Sequence, residues 1–162
     1  YGLGGVRGTG ASAVQNIIEA RRTGPFTDLF DFCKRVDKRI VNRRAVEALV
    51  RAGAFDGVEP NRARVLASVG RAMEAAEKAE RDAAQVSLFG EADAAQAAQL
   101  ALLEAPPWDL ERKLTEEKVA LGYCLSGHLF SVYEPMLKGF PRTPLAKLAA
   151  LGIVPGQRFA PE

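Results

Sequence analysis

The chain has 162 residues, of which 48% are hydrophobic and 26% charged, with a formal net charge of +2. That length holds one domain, or one domain and part of another, and the composition is that of an ordinary globular protein. No apolar run in it approaches the roughly 18 residues that a membrane-spanning helix needs, so no membrane is expected as a partner. Cys33 and Cys124 are the only cysteines. Two isolated thiols build neither a disulfide framework nor a metal cluster, which fits a reducing cytoplasm. No signal peptide precedes the first motif and the chain begins at Tyr1, so it is read as a piece of a longer polypeptide. The charge is unevenly spread. Residues 1–57 carry ten Lys/Arg against six acids, residues 58–84 balance, and residues 85–107 hold Glu91, Asp93 and Glu104 with no base at all. A basic N-terminal module followed by an acidic tether points to a polyanionic partner for the first module only.

Taken in chain order, the expected elements are helical. Residues 11–22 place Val14, Ile17 and Ile18 on one stripe, with Arg21 and Arg22 in the last turn before a Gly24-Pro25 stop. Thr27 or Asp28 caps a second helix, 28–36, with Leu29, Phe32, Cys33 and Val36 on one face. Asn42 caps a third, 43–52, whose Val46, Leu49 and Val50 are apolar and which Gly53 ends. Asn61 caps a fourth, 62–84, striped by Val65, Leu66, Val69, Met73 and Ala76. The Ala/Gln-rich stretch after Phe89 closes with Pro106-Pro107 and is read as tether. Asp109 caps a helix that Gly122 stops after Leu121; a short helix near 130–137 and a last one near 144–151 follow. No period-2 alternation marks a strand.

The first motif with chemistry is Val6-Arg7-Gly8-Thr9-Gly10 immediately before a helix. Glycines there permit positive φ and a close backbone approach, and the helix start offers unpaired N–H groups with positive dipole. Together these suit a phosphate. The third glycine of a dinucleotide fold and the Gly-Lys-Ser/Thr of a P-loop are both missing. The spacing of Val6, Gly8, Gly10, Ala13 and Ile17 resembles a helix-hairpin-helix, which grips a DNA phosphate through backbone without reading bases. The plainer reading is a tight turn between packed helices; Arg7, Arg21 and Arg22 tilt the balance to DNA. Residues 31–56 look like a degenerate second copy. Its hairpin, Asp37 to Asn42, lacks glycines, and Lys38, Arg39, Arg43 and Arg44 are its candidates for holding phosphates by charge, against the plainer reading of a solvated face.

Residues 85–89 read Gln-Val-Ser-Leu-Phe. Leu88 and Phe89 are adjacent large apolar side chains in a small, polar neighbourhood, the composition of a peptide that docks into a groove on another protein. The alternative is that both tuck back onto their own domain. Three further residues take plain readings: His128 stabilises a turn, Cys33 lies in the core, and Trp108 anchors the helix that follows it.

At this point the runs Tyr1–Gly10, Gly24–Cys33, Val41–Arg44, Ala48–Asp56 and Glu117–His128 resemble, in order, the alpha-subunit family of bacterial replicative DNA polymerase III. The resemblance implies an all-α fold. Tandem helix-hairpin-helix motifs would span 1–57, a long helix 58–84 would complete them, and a flexible clamp-binding peptide with its acidic tether would occupy 85–107. A helical segment, 108–162, would then lead to a truncated OB-fold beginning near Gly156–Phe159. Duplex DNA is expected on Arg7, Gly8, Thr9, Gly10, Arg21, Arg22, Lys38, Arg39, Arg43 and Arg44, and the sliding clamp (beta subunit) on Gln85, Ser87, Leu88 and Phe89. Other replicase subunits would be met through the parent protein, in the cytoplasm. The family's Mg²⁺-binding carboxylates fall outside this stretch, so neither catalysis nor a cofactor is expected within it. Leu129 stands where the family usually has proline, which implies a looser turn there. Two alternatives stay open: the same region of an error-prone paralogue in translesion synthesis, and an accessory module of a DNA-repair nuclease.

Overall fold

The computed structural model describes residues 2–89, 101–139 and 147. Among these residues every regular element is helical. After a 3-10 turn at Leu3–Gly5 come α1 (Ala11–Arg21), α2 (Leu29–Arg35), α3 (Arg43–Arg51), α4 (Arg62–Phe89), α5 (Leu110–Leu121) and α6 (Phe130–Tyr133), the last followed by a 3-10 turn at Glu134–Leu137. No helix among the described residues is long and apolar enough to cross a membrane.

Helix starts follow local chemistry closely. The Asp28 carboxylate accepts from the Asp31 N–H at 2.8 Å, Asn42 from Ala45 at 3.0 Å, Asn61 from Ala63 at 3.1 Å and Asp109 from Arg112 at 2.8 Å. Each cap satisfies one of the N–H groups that a helix start leaves unpaired. The apolar stripes then meet one another. Helix α4 packs across α2 and α3, and α5 packs on α3. Leu29, Phe32, Cys33, Val46, Leu49, Val50, Val65, Val69, Ala72 and Met73 form one buried cluster. Phe32 meets Phe26 and Phe55 edge-on, with ring centroids 4.9 and 5.1 Å apart; such pairs contribute about 0.5–1.5 kcal/mol each beyond their buried area. Burial also pushes the Cys33 thiol up to about 12.

Four expectations need correction. Helix α1 buries Ala13 and Ile17 and leaves Ile18 48% exposed, because one i, i+4 pair suffices to seat so short a stripe. Helix α4 does not stop at 84 but runs through Phe89, since nothing between Ala83 and Phe89 breaks a helix until Gly90. The peptide expected to be flexible thus begins as the last turns of α4. Residues 101–105, read as tether, instead lie along α4. Leu102 packs on the core, the Leu103 N–H donates to Ser68 Oγ at 2.8 Å, Asn61 Nδ2 donates to the Ala105 carbonyl at 3.0 Å, and Glu104 pairs with Arg64 at 2.9 Å. A half-buried leucine and satisfied backbone groups hold this segment where composition alone suggested none. Finally, α5 belongs with the N-terminal helices. The chain divides after Leu129, into units 1–129 and 130–162, rather than at 107. The expected helix near 144–151 and the OB-fold start lie outside the described residues.

A buried ionic cluster explains that last point. Arg62, 5% exposed, forks onto Asp56 at 2.7 and 2.6 Å, and also donates to the Arg51 carbonyl and to Glu117 Oε1 at 2.8 Å. Glu117 is fully buried and accepts in addition from the Leu125 N–H at 2.6 Å, the Ser126 N–H at 2.8 Å and the Ser126 hydroxyl. Burial alone raises the Glu117 carboxyl, but the donors from Ser126, Arg62 and Leu125 outweigh it and hold it below its ordinary value. Burial likewise opposes the charge on Arg62, and the two carboxylates overcome it. Arg51–Glu116, at 2.9 Å, adds a second tie between α3 and α5.

Candidate nucleic-acid interface

The first hairpin is built from the 3-10 turn, residues 6–10 and the start of α1. Val6 is buried and its carbonyl accepts from the Thr9 N–H at 3.1 Å, which closes the tip. Gly8 sits at φ +81°, a conformation that L side chains rarely adopt. Gly10 is the N-cap of α1 at φ −73°, ψ 164°, with no side-chain cap. Positive φ is therefore needed at Gly8 alone; at Gly10 what glycine provides is space. A Cβ built on Gly10 finds nothing nearer than Ser12 Oγ at 4.0 Å. The exposed start of α1 thus presents uncapped N–H groups and positive dipole with no side chain in front of them. Arg7, three residues before Gly10 in the chain, is exposed and has no ion pair among the described residues.

Thr9 does not share that surface. It is buried, and its hydroxyl has no hydrogen-bond partner among the described residues. Arg21 and Arg22 are exposed at the far end of α1, about 16 Å from Gly10 along a helix of this length. They do not reach the anion that the hairpin tip would hold. The C-terminal carbonyls of α1 are met instead by Arg35 of α2, which donates to Ala20 and, at 2.7 Å, to Gly24, and whose guanidinium lies 4.5 Å from the Phe26 ring centroid. Sequence reasoning gave Arg35 no such task, because the contact joins residues far apart in the chain.

The second hairpin is closed by its own acid. Asp37 accepts from the Arg39 N–H at 2.9 Å and from the Arg39 guanidinium at 3.2 and 3.0 Å, which holds its carboxyl below the ordinary carboxylate range. The Asp37 N–H donates to Asn16 of α1 at 2.9 Å, setting the second hairpin against the first module. The Lys38 side chain is only 9% exposed and pairs with Glu80 of α4, so it turns inward rather than out to a phosphate. Arg43 pairs with Glu47 at 2.9 Å. Arg44 alone of the four expected cations is exposed with no ion pair among the described residues. The α3 N-terminus, already capped by Asn42, offers an anion less than α1 does. The two hairpins therefore differ in kind: the first is open and uncapped, the second largely satisfied from within.

Gln85, Ser87, Leu88 and Phe89 all lie in the last turns of α4. His128 is exposed, and Trp108, half-buried before the Asp109 cap, has the Arg112 guanidinium over its ring at 5.4 Å.

Paired helices joined by a hairpin whose glycines frame an open helix start define a helix-hairpin-helix protein, and residues 1–65 match the helix-hairpin-helix motif family. Over 149 residues, 91% of the chain, it is 44% identical to the DNA polymerase III subunit alpha of Neisseria meningitidis serogroup B. It is 42% identical to that of Xylella fastidiosa over 142 residues and 38% identical to that of Caulobacter vibrioides over 153, covering 85% and 93% of the chain. The chain belongs, as a segment, to the DNA polymerase III subunit alpha family. It spans only 12 to 13% of the length of these relatives.

Proposed function

We propose that this segment holds duplex DNA without sequence preference and tethers its polymerase to a sliding clamp, both to raise processivity in replication. The observation that carries the DNA reading is the uncapped start of α1, with open space at Gly10 and the exposed Arg7 three residues before it. An N–H cradle of this kind contacts phosphate oxygens and carries no base information. The test is fluorescence anisotropy of the chain against a labelled duplex across a salt series. With roughly four to six phosphates neutralised, log K falls against log salt with a slope near −0.9 per contact. A slope near zero, or strong discrimination between unrelated duplexes, refutes the reading.

The clamp reading rests on the Gln-Val-Ser-Leu-Phe sequence of residues 85–89, which forms the last turns of α4. Burying Leu88 and Phe89 is worth roughly 1.5–3 kcal/mol each, offset by about 0.5–1.5 kcal/mol per side chain immobilised. The balance fits an exchangeable, micromolar-order site. Joined to a DNA-bound module, such a site turns rebinding into an intramolecular event, and avidity then exceeds either affinity.

A further inference from the structure

We infer that the C-terminal end of α5 positions Arg7 for a DNA phosphate, which makes Gly122 a positioning residue of the first hairpin; this rests on the DNA reading above. Two contacts carry it. The Arg7 N–H donates to the Ala120 carbonyl in the last turn of α5 at 2.7 Å. The Arg7 guanidinium lies against Gly122, so close that a Cβ at 122 would stand 2.8 Å from its Nη2 and 3.5 Å from its Cζ. Backbone and side chain of Arg7 are thus both placed by an element more than a hundred residues away in sequence.

The electrostatics of that placement differ from those at the second hairpin. Lys38, Arg39 and Arg43 each face a carboxylate, from Glu80, Asp37 and Glu47. Arg7 faces the carbonyl end of α5, which carries a fractional negative charge. A helix end attracts and orients a guanidinium without neutralising it, so the charge of Arg7 remains available to an external anion. The seat is also rigid. Gly122 caps α5 at φ +90°, and the turn behind it is pinned by Glu117 through the Leu125 and Ser126 N–H groups. Glu117 is in turn held by the buried Arg62. Arg62 and Glu117 thus brace the turn that follows the end of α5, on which Arg7 rests.

The decisive variant is Gly122→Asn. Asparagine accepts the left-handed backbone better than other L residues, while its side chain occupies the volume of the Arg7 guanidinium. That guanidinium is the free end of a flexible side chain and swings away at small cost to the fold. The expected result on the 162-residue chain is a melting temperature lowered by no more than the strain of an asparagine at φ +90° and, in salt-series anisotropy, a slope less negative by about 0.9, one phosphate contact. Arg7→Ala should lose the same amount, and Arg7→Ala/Gly122→Asn no more than either alone, the non-additivity of groups acting through one another. If Gly122→Asn lowers the melting temperature, comparing it with and without Arg7→Ala removes the shared fold effect and still reads the coupling. Losses that add in the double variant overturn the inference, as does an unchanged slope in either single variant. A slope near zero in the unsubstituted chain overturns the DNA reading itself, and is recognised before any substitution is made.

Discussion

Gly10 separates phosphate approach from fold stability. Its backbone, at φ −73° and ψ 164°, is the ordinary extended conformation of an N-cap, and a Cβ there meets nothing closer than 4.0 Å. Replacing it by valine therefore costs the fold only the difference in N-cap preference, on the order of 1 kcal/mol. Its isopropyl group would, however, stand in front of the first-turn N–H groups. Losing one hydrogen bond from such a group to a charged phosphate costs about 1.5–3 kcal/mol, a roughly ten- to hundred-fold loss of affinity. Gly10→Ser sharpens the test. A serine hydroxyl accepts from the first-turn N–H groups itself, so this variant should melt slightly higher, by a few tenths of a kcal/mol in stability, and yet bind duplex more weakly. The assay is anisotropy at one fixed salt concentration beside a thermal melt. Duplex affinity within twofold of the parent chain for both variants refutes backbone gripping and leaves charge alone as the source of binding. Arg35 is no control for such work, because it secures the end of α1; the exposed Lys34 on α2 serves better.

Glu117→Gln breaks the buried pair with Arg62 and should cost about 3 kcal/mol, lowering the melting temperature by roughly 10 °C. The Glu117 carboxyl sits below its ordinary 4.5 when folded, so its contribution is complete above that pH and is lost as pH falls through the folded value. Urea titrations from pH 7 to 3 should show this acid-side loss diminished in Glu117→Gln; an identical acid limb refutes the assignment. Leu88→Ala/Phe89→Ala should abolish capture by purified sliding clamp while helix content and duplex binding persist, since alanine sustains α4; a double variant that unfolds shows both residues to be core. Thiol titration of the native chain should find Cys124 reacting promptly and Cys33 only on unfolding, because Cys33 is buried with its thiol pushed up to about 12; prompt reaction of two thiols refutes the placement of Cys33.

The helices and their starts were legible in sequence because caps and stripes are local. Asp28, Asn42, Asn61 and Asp109 each act within three residues of themselves, and Val46, Leu49 and Val50 declare a face by spacing alone. The first hairpin was legible for the same reason, since Gly8 and Gly10 precede a helix directly. The sequence also carried the family, because its motifs keep their order along the whole chain. What it did not contain is the disposition of charge. Four cations cluster around the second hairpin in sequence, but only α4 packing against α2 and α3 brings Glu80 to Lys38. The Arg62–Glu117 pair spans 55 positions and the Arg35 contact with Ala20 spans 15, so no periodicity announces either. Whether a cation is free for a phosphate or held by a distant carboxylate depends on which helices meet. That is decided when buried apolar faces pair and carry their polar neighbours along.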